Sequence, residues 1–299
     1  MKESLEIALI SDTCGWHCQQ LQAAFDAHQA KTSIVSLADC IISTEDQPNI
    51  RLPGFTKHKP DGAFVRGVPG GSLENVVFYL DILHGLERLG VHVYNNASMI
   101  ERSVDKAMTS FLLKNAGINT PPTWVTVDYQ KACEISARLI AEHQAVVLKP
   151  IFGSQGKDIQ LISDISQLPE AESEQPRVYY LQQFVKSTQP HDWRVFVVGD
   201  QIVSAMQRYG KDWLHNAALG AECRYTAVSD EMAKLAIKAV RSVGLFYAGV
   251  DLMYDINNIL QVIEINSIPS WKSLQEISSV NIAEYLVDYF MATRYCSAI

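Results

Sequence analysis

GVDLMYDINNILQVIEIN, residues 249–266, is the stretch on which the reading of this chain turns. It reads as two apolar strands joined at Asn257-Asn258, because asparagine tolerates the left-handed backbone that tight hairpin turns require. A turn symmetric about that pair sets Asp251 on the first strand opposite Glu264 on the second. Asn266, two residues on, points to the same face as Glu264. Two carboxylates opposed at about 5 Å repel by roughly 3 kcal/mol at an effective dielectric near 20, and facing like charges weaken a sheet. A divalent cation turns that liability into a site. Carboxylate and amide oxygens without thiolate or imidazole suit Mg²⁺ or Mn²⁺, with phosphate oxygens completing the shell. The other reading is two exposed acids on a solvated sheet face; the apolar residues around them weigh toward the metal.

The chain of 299 residues is long enough for a substantial core and for two or three subdomains. At 47% hydrophobic and 19% charged it has the composition of a soluble globular protein. A formal charge of −8 argues against nucleic acid as a partner, which needs clustered Lys and Arg. Six scattered cysteines, at 14, 18, 40, 133, 223 and 296, suggest no disulfide framework and point to a reducing compartment. Cys14, His17 and Cys18 have the look of a metal clip but lack a second ligand pair at zinc spacing. Acidic residues Glu3 and Glu6 precede Ala8-Leu9-Ile10, so the N-terminus does not read as a signal peptide. No apolar run reaches membrane-spanning length. These features give the expectation of a cytoplasmic protein with no membrane partner.

In order, residues 5–10 read as a strand, Trp16 to His28 as a helix, 63–66 as a strand, Leu73 to Leu89 as a helix closed by Gly90, and 91–94 as a strand. That alternation suggests an open α/β sheet. Its first loop holds only Gly15 and is no dinucleotide fingerprint, which weighs against an oxidoreductase built on this unit. Arg66, at a strand end before Gly67-Val-Pro-Gly-Gly71, is either a holder of a substrate carboxylate or a surface ion-pair residue. Ser103 reads as the N-cap of a helix from Val104 to Ala116. Lys106 in its first turn opposes the helix dipole, so it either meets an anionic ligand or is a solvated surface lysine. Strands follow at 123–127, 145–150 and 178–185, with a helix at 131–143 between the first two. Lys149 sits in an apolar strand and needs a partner. Gly153-Ser154-Gln155-Gly156 is either a flap whose backbone donors lie over phosphates or a plain hairpin turn. A hairpin crosses Gly199-Asp200, a helix runs from Asp230 to Gly244, and a last helix from Ile282 to Ala292.

Taken together, Asp105-Lys106, Val147-Leu-Lys149-Pro150, Gly153 to Gly156, Leu181-Gln-Gln-Phe184, Asp192-Trp-Arg194, Ala205-Met-Gln-Arg208, Asn216, Gly249-Val-Asp251 and Glu264-Ile-Asn266 closely resemble the ATP-grasp superfamily and, within it, the RimK-type glutamate ligases. The resemblance covers residues 60–295 and implies an α/β fold of three parts: an N-terminal α/β domain over 1–96, a central subdomain with a nucleotide flap over 97–187, and a C-terminal subdomain with the metal site over 188–299. It implies that ATP is bound by Lys106, Lys149, Gly153, Ser154, Gly156, Gln183, Phe184 and Asp192, the last as a ribose contact. Asp251, Glu264 and Asn266 match the ligands of two Mg²⁺ or Mn²⁺ ions, and Arg208 and Asn216 match catalytic residues near the transferred phosphoryl group. The chain departs from the family at Gln183, where relatives often carry Glu, and at Leu214, where some carry Arg. The implied reaction joins glutamate to a carboxylate acceptor through an acyl phosphate, in an enzyme of a kind that is often oligomeric.

Residues 266–275 resemble members that glutamylate a pterin such as tetrahydromethanopterin, as do Arg66 and the glycines after it. Arg66 and Lys272 are the expected substrate-binding residues of that subgroup. Trp271 either stacks on an aromatic acceptor or packs the C-terminal subdomain. A protein tail and an amino-group carrier protein are the other acceptors, and a nucleotide-binding module without turnover is the rival outside enzymes.

Overall fold

The computed structural model describes residues 4–56, 58–153, 156, 158–170, 177–210, 213, 215 and 220–294. Among the described residues three sheets of four or five strands follow one another along the chain, with a two-stranded one set within the first unit. The first is built from β1 (Glu6–Ile10), followed by helix α1 (Trp16–Ala27) and β2 (Lys31–Val35). A small antiparallel hairpin of β3 (Ile41–Ser43) and β4 (Asn49–Arg51) precedes β5 (Gly62–Val65), helix α2 (Leu73–Arg88) and β6 (His92–Tyr94). The strand order is β2-β1-β5-β6 and every pairing is parallel. A parallel sheet is covered on both faces, which is why Ile7 to Ile10 and Gly62 to Val65 are buried without alternation.

Next come α3 (Ala97–Val104), α4 (Lys106–Asn115), β7 (Thr123–Thr126), α5 (Tyr129–Ala141), β8 (Val146–Lys149), β9 (Gln160–Ile162) and β10 (Tyr179–Gln183). The sheet β7-β10-β8-β9 is antiparallel. The single helix expected from Val104, capped by Ser103, is two helices. Asp105 breaks the run, and its carboxylate accepts from the backbone N–H of Ala107 and Met108 at 2.9 and 3.0 Å, making it the N-cap of α4. Ser103 instead lies in the last turn of α3, where its hydroxyl meets that of Ser267 at 2.5 Å. The break places Lys106 as the first residue of α4.

The third sheet contains β11 (His191–Val198), β12 (Gln201–Tyr209), β13 (Glu222–Tyr225), β14 (Tyr247–Tyr254) and β15 (Leu260–Asn266), in the order β13-β12-β11-β14-β15, with α6 (Asp230–Val243) packed against it. The short α7 (Lys272–Gln275) and the terminal α8 (Ile282–Thr293) follow. Asp251 does pair with Glu264, but by a different route from the one expected. The turn is not symmetric about Asn257-Asn258. Tyr254 pairs with Leu260, and the Asp255 carboxylate closes the loop by accepting from the backbone N–H of Asn257 and Ile259, both at 2.9 Å. A bulge between Asp251 and Leu252 then shifts the register by one residue and restores the Asp251–Glu264 pair.

Asn95 joins the first sheet to the third. It is fully buried at the end of β6; its amide donates to the carbonyls of Tyr247 at 2.9 Å and Ser267 at 2.8 Å and accepts from the N–H of Phe246 at 2.8 Å. Beside it the Tyr94 ring stacks on Phe246 and Tyr247, with centroids 5.1 and 5.0 Å apart. The last helix crosses back as well: the Phe290 ring meets Phe25 of α1 at 5.3 Å and Phe64 of β5 at 5.9 Å. The core of the first sheet therefore includes side chains from the far end of the chain. Replacing Asn95 by Ala strands two buried carbonyls and one N–H. We expect Asn95→Ala to cost about 3 kcal/mol or more, read as a lower urea midpoint with an unchanged slope.

Candidate functional site

A cleft of about 720 Å³ opens between the second and third sheets. Its walls carry Lys106 from α4, Lys149 from β8, Asp192 and Arg194 from β11, Arg208 from β12, and Asp251, Glu264 and Asn266 from β14 and β15. The antiparallel ladder explains how the charged residues on the third sheet converge. Asp192 is the cross-strand partner of Arg208, and Arg194 the partner of Asp251, whose other neighbour is Glu264. Asp192 and Arg194, two apart, share one face.

On that face Arg208 donates to both oxygens of Asp192, at 2.7 and 2.5 Å, and reaches Asp251 at 3.1 Å. Arg194 grips Asp251 through two nitrogens, with Nη2 at 2.8 Å and Nε closer still. Burial acts to raise the Asp251 carboxyl, and the guanidinium groups of Arg194 and Arg208 outweigh it, holding it below the usual carboxylate range. Burial opposes the charge on Arg208, but Asp251 and Asp192 hold its guanidinium above its ordinary value. Asp192 is pushed up to about 6 by burial against the pull of Arg208. Gly249 leaves room for this packing: a Cβ there would lie 3.0 Å from both Arg194 Cδ and Pro269 Cβ.

Across the cleft Lys149 is 9% exposed, and its ammonium donates to Gln182 Oε1 at 2.7 Å. Gln182 in turn donates to the hydroxyls of Thr123 and Tyr180, each at 3.2 Å. Lys106 donates to the carbonyl of Gly153 at 2.8 Å and stands 4.0 Å from Glu264. Burial lowers both lysines and Glu264 pulls both back toward the charged form.

Several expectations change in place or partner. Asp192, the expected ribose contact, lines the cleft with both carboxylate oxygens bound by Arg208. Arg66 is not on the cleft wall. Its guanidinium lies over the Trp271 ring at 4.5 Å and donates to Pro269 O at 3.1 Å. Trp271 is 1% exposed and packs edge-on to Phe196, so it fills core and presents no face for stacking. Lys272, Gly153, Gly156, Gln183 and Phe184 line the cleft. Ser154 and Asn216 lie outside the described residues, as does Leu214. The Cys14–Cys18 clip does not form: His17 faces Ser270 and Trp271, Cys18 is buried, and Cys14 meets Gln22.

Sequence reasoning missed three site residues. Arg194 stood in a quoted motif, and its place two residues after Asp192 was the signal that it shares that face. Gln182 was passed over for its neighbour, although it is the residue on the Lys149 side of β10. His17 has no local signal for its contact with a loop some 250 residues away.

The Asp251–Glu264 pair with Asn266 offers hard oxygen donors, and Asn266 Nδ2 is buried with no hydrogen-bond partner among the described residues. That donor set fits a divalent cation. Among the described residues no group of three His, Cys, Asp or Glu converges as a metal site. No helix among them is long and apolar enough to cross a membrane.

Comparison with known proteins agrees with this geometry. The chain matches the RimK-like ATP-grasp domain over residues 103–290. It is 31% identical over 293 residues to the tetrahydromethanopterin:alpha-L-glutamate ligase of Methanococcus maripaludis, covering 95% of this chain and 97% of that protein. It is 28% identical to the alpha-aminoadipate–LysW ligase LysX of Saccharolobus solfataricus, over 68% of this chain and 75% of the other. Among solved structures, the ATP-grasp ligase PsnB complexed with its minimal precursor, Mg and ADP superposes with a TM-score of 0.72 at 18% identity, covering 98% of this chain and 99% of that one.

Burial lowers His17 to about 4, with the charges of Arg66 and Lys272 adding to the shift, and burial likewise lowers His92 to about 4. Both histidines have an ordinary value of 6.5, so between 6.5 and 4 the unfolded chain binds protons that the folded chain does not. Stability is therefore full above that window and is lost as pH falls through it. Thermal melts of wild type and His17→Gln should show a shallower acid loss in the variant; identical profiles would remove His17 from the account.

Proposed function

Because the chain belongs to the RimK-like ATP-grasp family, we propose that it is an ATP-dependent carboxylate–amine ligase that adds L-glutamate to a small acidic acceptor of the pterin type. The observation that carries this reading is the cleft itself, where Lys106, Lys149 and Arg208 face the Asp251–Glu264–Asn266 set. Lys106 and Lys149 on one wall, with Arg208 beside the oxygen ligands on the other, suit a triphosphate. The acceptor class rests on the likeness to the M. maripaludis ligase, which runs along nearly the whole chain.

The chemistry follows from charge. An acceptor carboxylate attacks the γ-phosphorus of ATP, the β–γ bridge breaks, and ADP leaves with an acyl phosphate formed. The amine of glutamate, having lost its proton, attacks the acyl carbon. The tetrahedral intermediate expels inorganic phosphate and the amide remains. Two anions must approach in the first step, so Lys106, Lys149 and Arg208 offset their repulsion. Asp192 holds Arg208 by both oxygens and fixes its reach toward the phosphoryl group. Arg194 and Arg208 keep Asp251 ionised, ready to serve as a ligand. Asp251, Glu264 and Asn266 would hold a divalent cation, Mg²⁺ or Mn²⁺, which when bound would supply Lewis-acid polarisation of phosphoryl oxygens. Gln182 orients Lys149, and Gln183 and Phe184, whose backbone N–H groups donate to Pro122 O and Ala145 O, line the cleft beside it. Gly153 and Gly156 line the cleft, and the Gly153 carbonyl accepts from Lys106.

Phosphate release should require ATP, L-glutamate and an acidic pterin together, with a product heavier by one glutamyl residue. Release with a carrier protein in place of the pterin would move the acceptor to the class named for the S. solfataricus relative. Nucleotide binding without turnover across pterins, peptides and carrier proteins would leave a binding module instead. Glu264→Gln should lower kcat by about 100-fold or more, with the folded state intact by circular dichroism, whereas Asp251→Asn should lower both kcat and the melting temperature because it takes the carboxylate from Arg194 and Arg208.

A further inference from the structure

His17 stands in the first turn of α1, just beyond the carboxyl end of β1, the edge of a parallel sheet where ligands meet loops. Among the described residues it is the only side chain from the first sheet or its helices that lines the cleft. Its Nε2 lies 3.1 Å from the backbone N of Trp271 and 3.2 Å from Ser270 Oγ. A backbone N–H can only donate, so Nε2 is an unprotonated acceptor and the ring proton resides on Nδ1. The depressed proton affinity of His17 keeps the ring neutral near pH 7. Two indoles hold it edge-on, Trp271 with centroids 4.5 Å away and Trp16 at 5.0 Å. No described residue accepts the Nδ1 proton.

The surroundings of that free donor are cationic. Lys272 lines the cleft and Arg66 lies over the Trp271 ring, both close enough for their charges to act on His17. The carboxylates of the cleft, Asp192, Asp251 and Glu264, stand on β11, β14 and β15. A rigid neutral N–H donor beside two cations recognises an anionic oxygen. We propose that His17 Nδ1–H donates a hydrogen bond to a carboxylate oxygen of an amide-forming substrate, anchoring the end of that molecule remote from the bond being made. The proposal rests on the ligase reading. Its ligand chemistry has two sources, the amino acid and the acidic acceptor.

¹⁵N NMR of the full chain with Mg·ADP bound tests both the tautomer and the contact. L-glutamate and, separately, glutarate, a dicarboxylate without an amine, serve as probes. The expected result is a proton on Nδ1 whose resonance shifts with a dicarboxylate and not with Mg·ADP alone. A shift with L-glutamate places the amino acid there, and a shift with glutarate only places the acceptor. A proton on Nε2, or a resonance that neither probe moves, overturns the proposal. His17→Gln supplies a kinetic arm, because its Oε1 stands where Nε2 accepts from Trp271 while nothing replaces the Nδ1 donor. Its KM for the carboxylate substrate should rise about ten-fold or more, with Mg·ADP affinity and the melting temperature at neutral pH unchanged. A KM equal to wild type reduces His17 to a loop anchor and ends the proposal. A wild-type chain that turns over no acceptor undoes the ligase reading instead, and the NMR arm still decides whether His17 meets a carboxylate.

Discussion

The charged lattice on the third sheet is the constraint to which the site answers. Asp192, Arg208, Asp251 and Arg194 are nearly all buried and hold one another in a closed set of bidentate and single contacts. Removing one member of such a set leaves an uncompensated charge out of water, which costs far more than the net worth of the pair. The lattice therefore dictates strand register. A slip by one residue would put every one of these groups on the apolar side of the sheet, against α6. Stability and the aim of the catalytic groups come from the same contacts.

The lattice also answers the repulsion between Asp251 and Glu264. The facing carboxylates were readable from the sequence because side chains alternate along strands, and a cation was the logical remedy. The protein has two remedies in place: Arg194 from β11 on Asp251, and Lys106 from α4 near Glu264. The pairing was legible although the turn was not, because a wide loop closed by Asp255 and a bulge beyond Leu252 displace the register in opposite senses. Neither device leaves a mark in the hydrophobic pattern.

Most elements were visible in periodicity, and what was hidden depends on contacts between distant parts of the chain. The helix break at Asp105 was local and still missed, since Ser103 and Asp105 are both good caps and only the bond from Ser103 to Ser267 separates them. The short edge strands β2, β9 and β13 carry too few alternating residues to register. Arg66 looked like a substrate holder at a strand end, but its stacking on Trp271 arises from a loop two hundred residues later. The same loop brings Ser270 to His17 and closes the cleft against the first sheet.

The packing of α8 onto α1 and β5 has a further consequence, for biosynthesis. A ribosome releases the first sheet long before it releases Leu286 and Phe290, the side chains that cover one of its faces. Until then the apolar rings of Phe25 and Phe64 have no lid from their own chain. The nascent protein thus waits with an open hydrophobic face until α8 has emerged, a period in which chaperone binding or premature self-association competes with completion of the core.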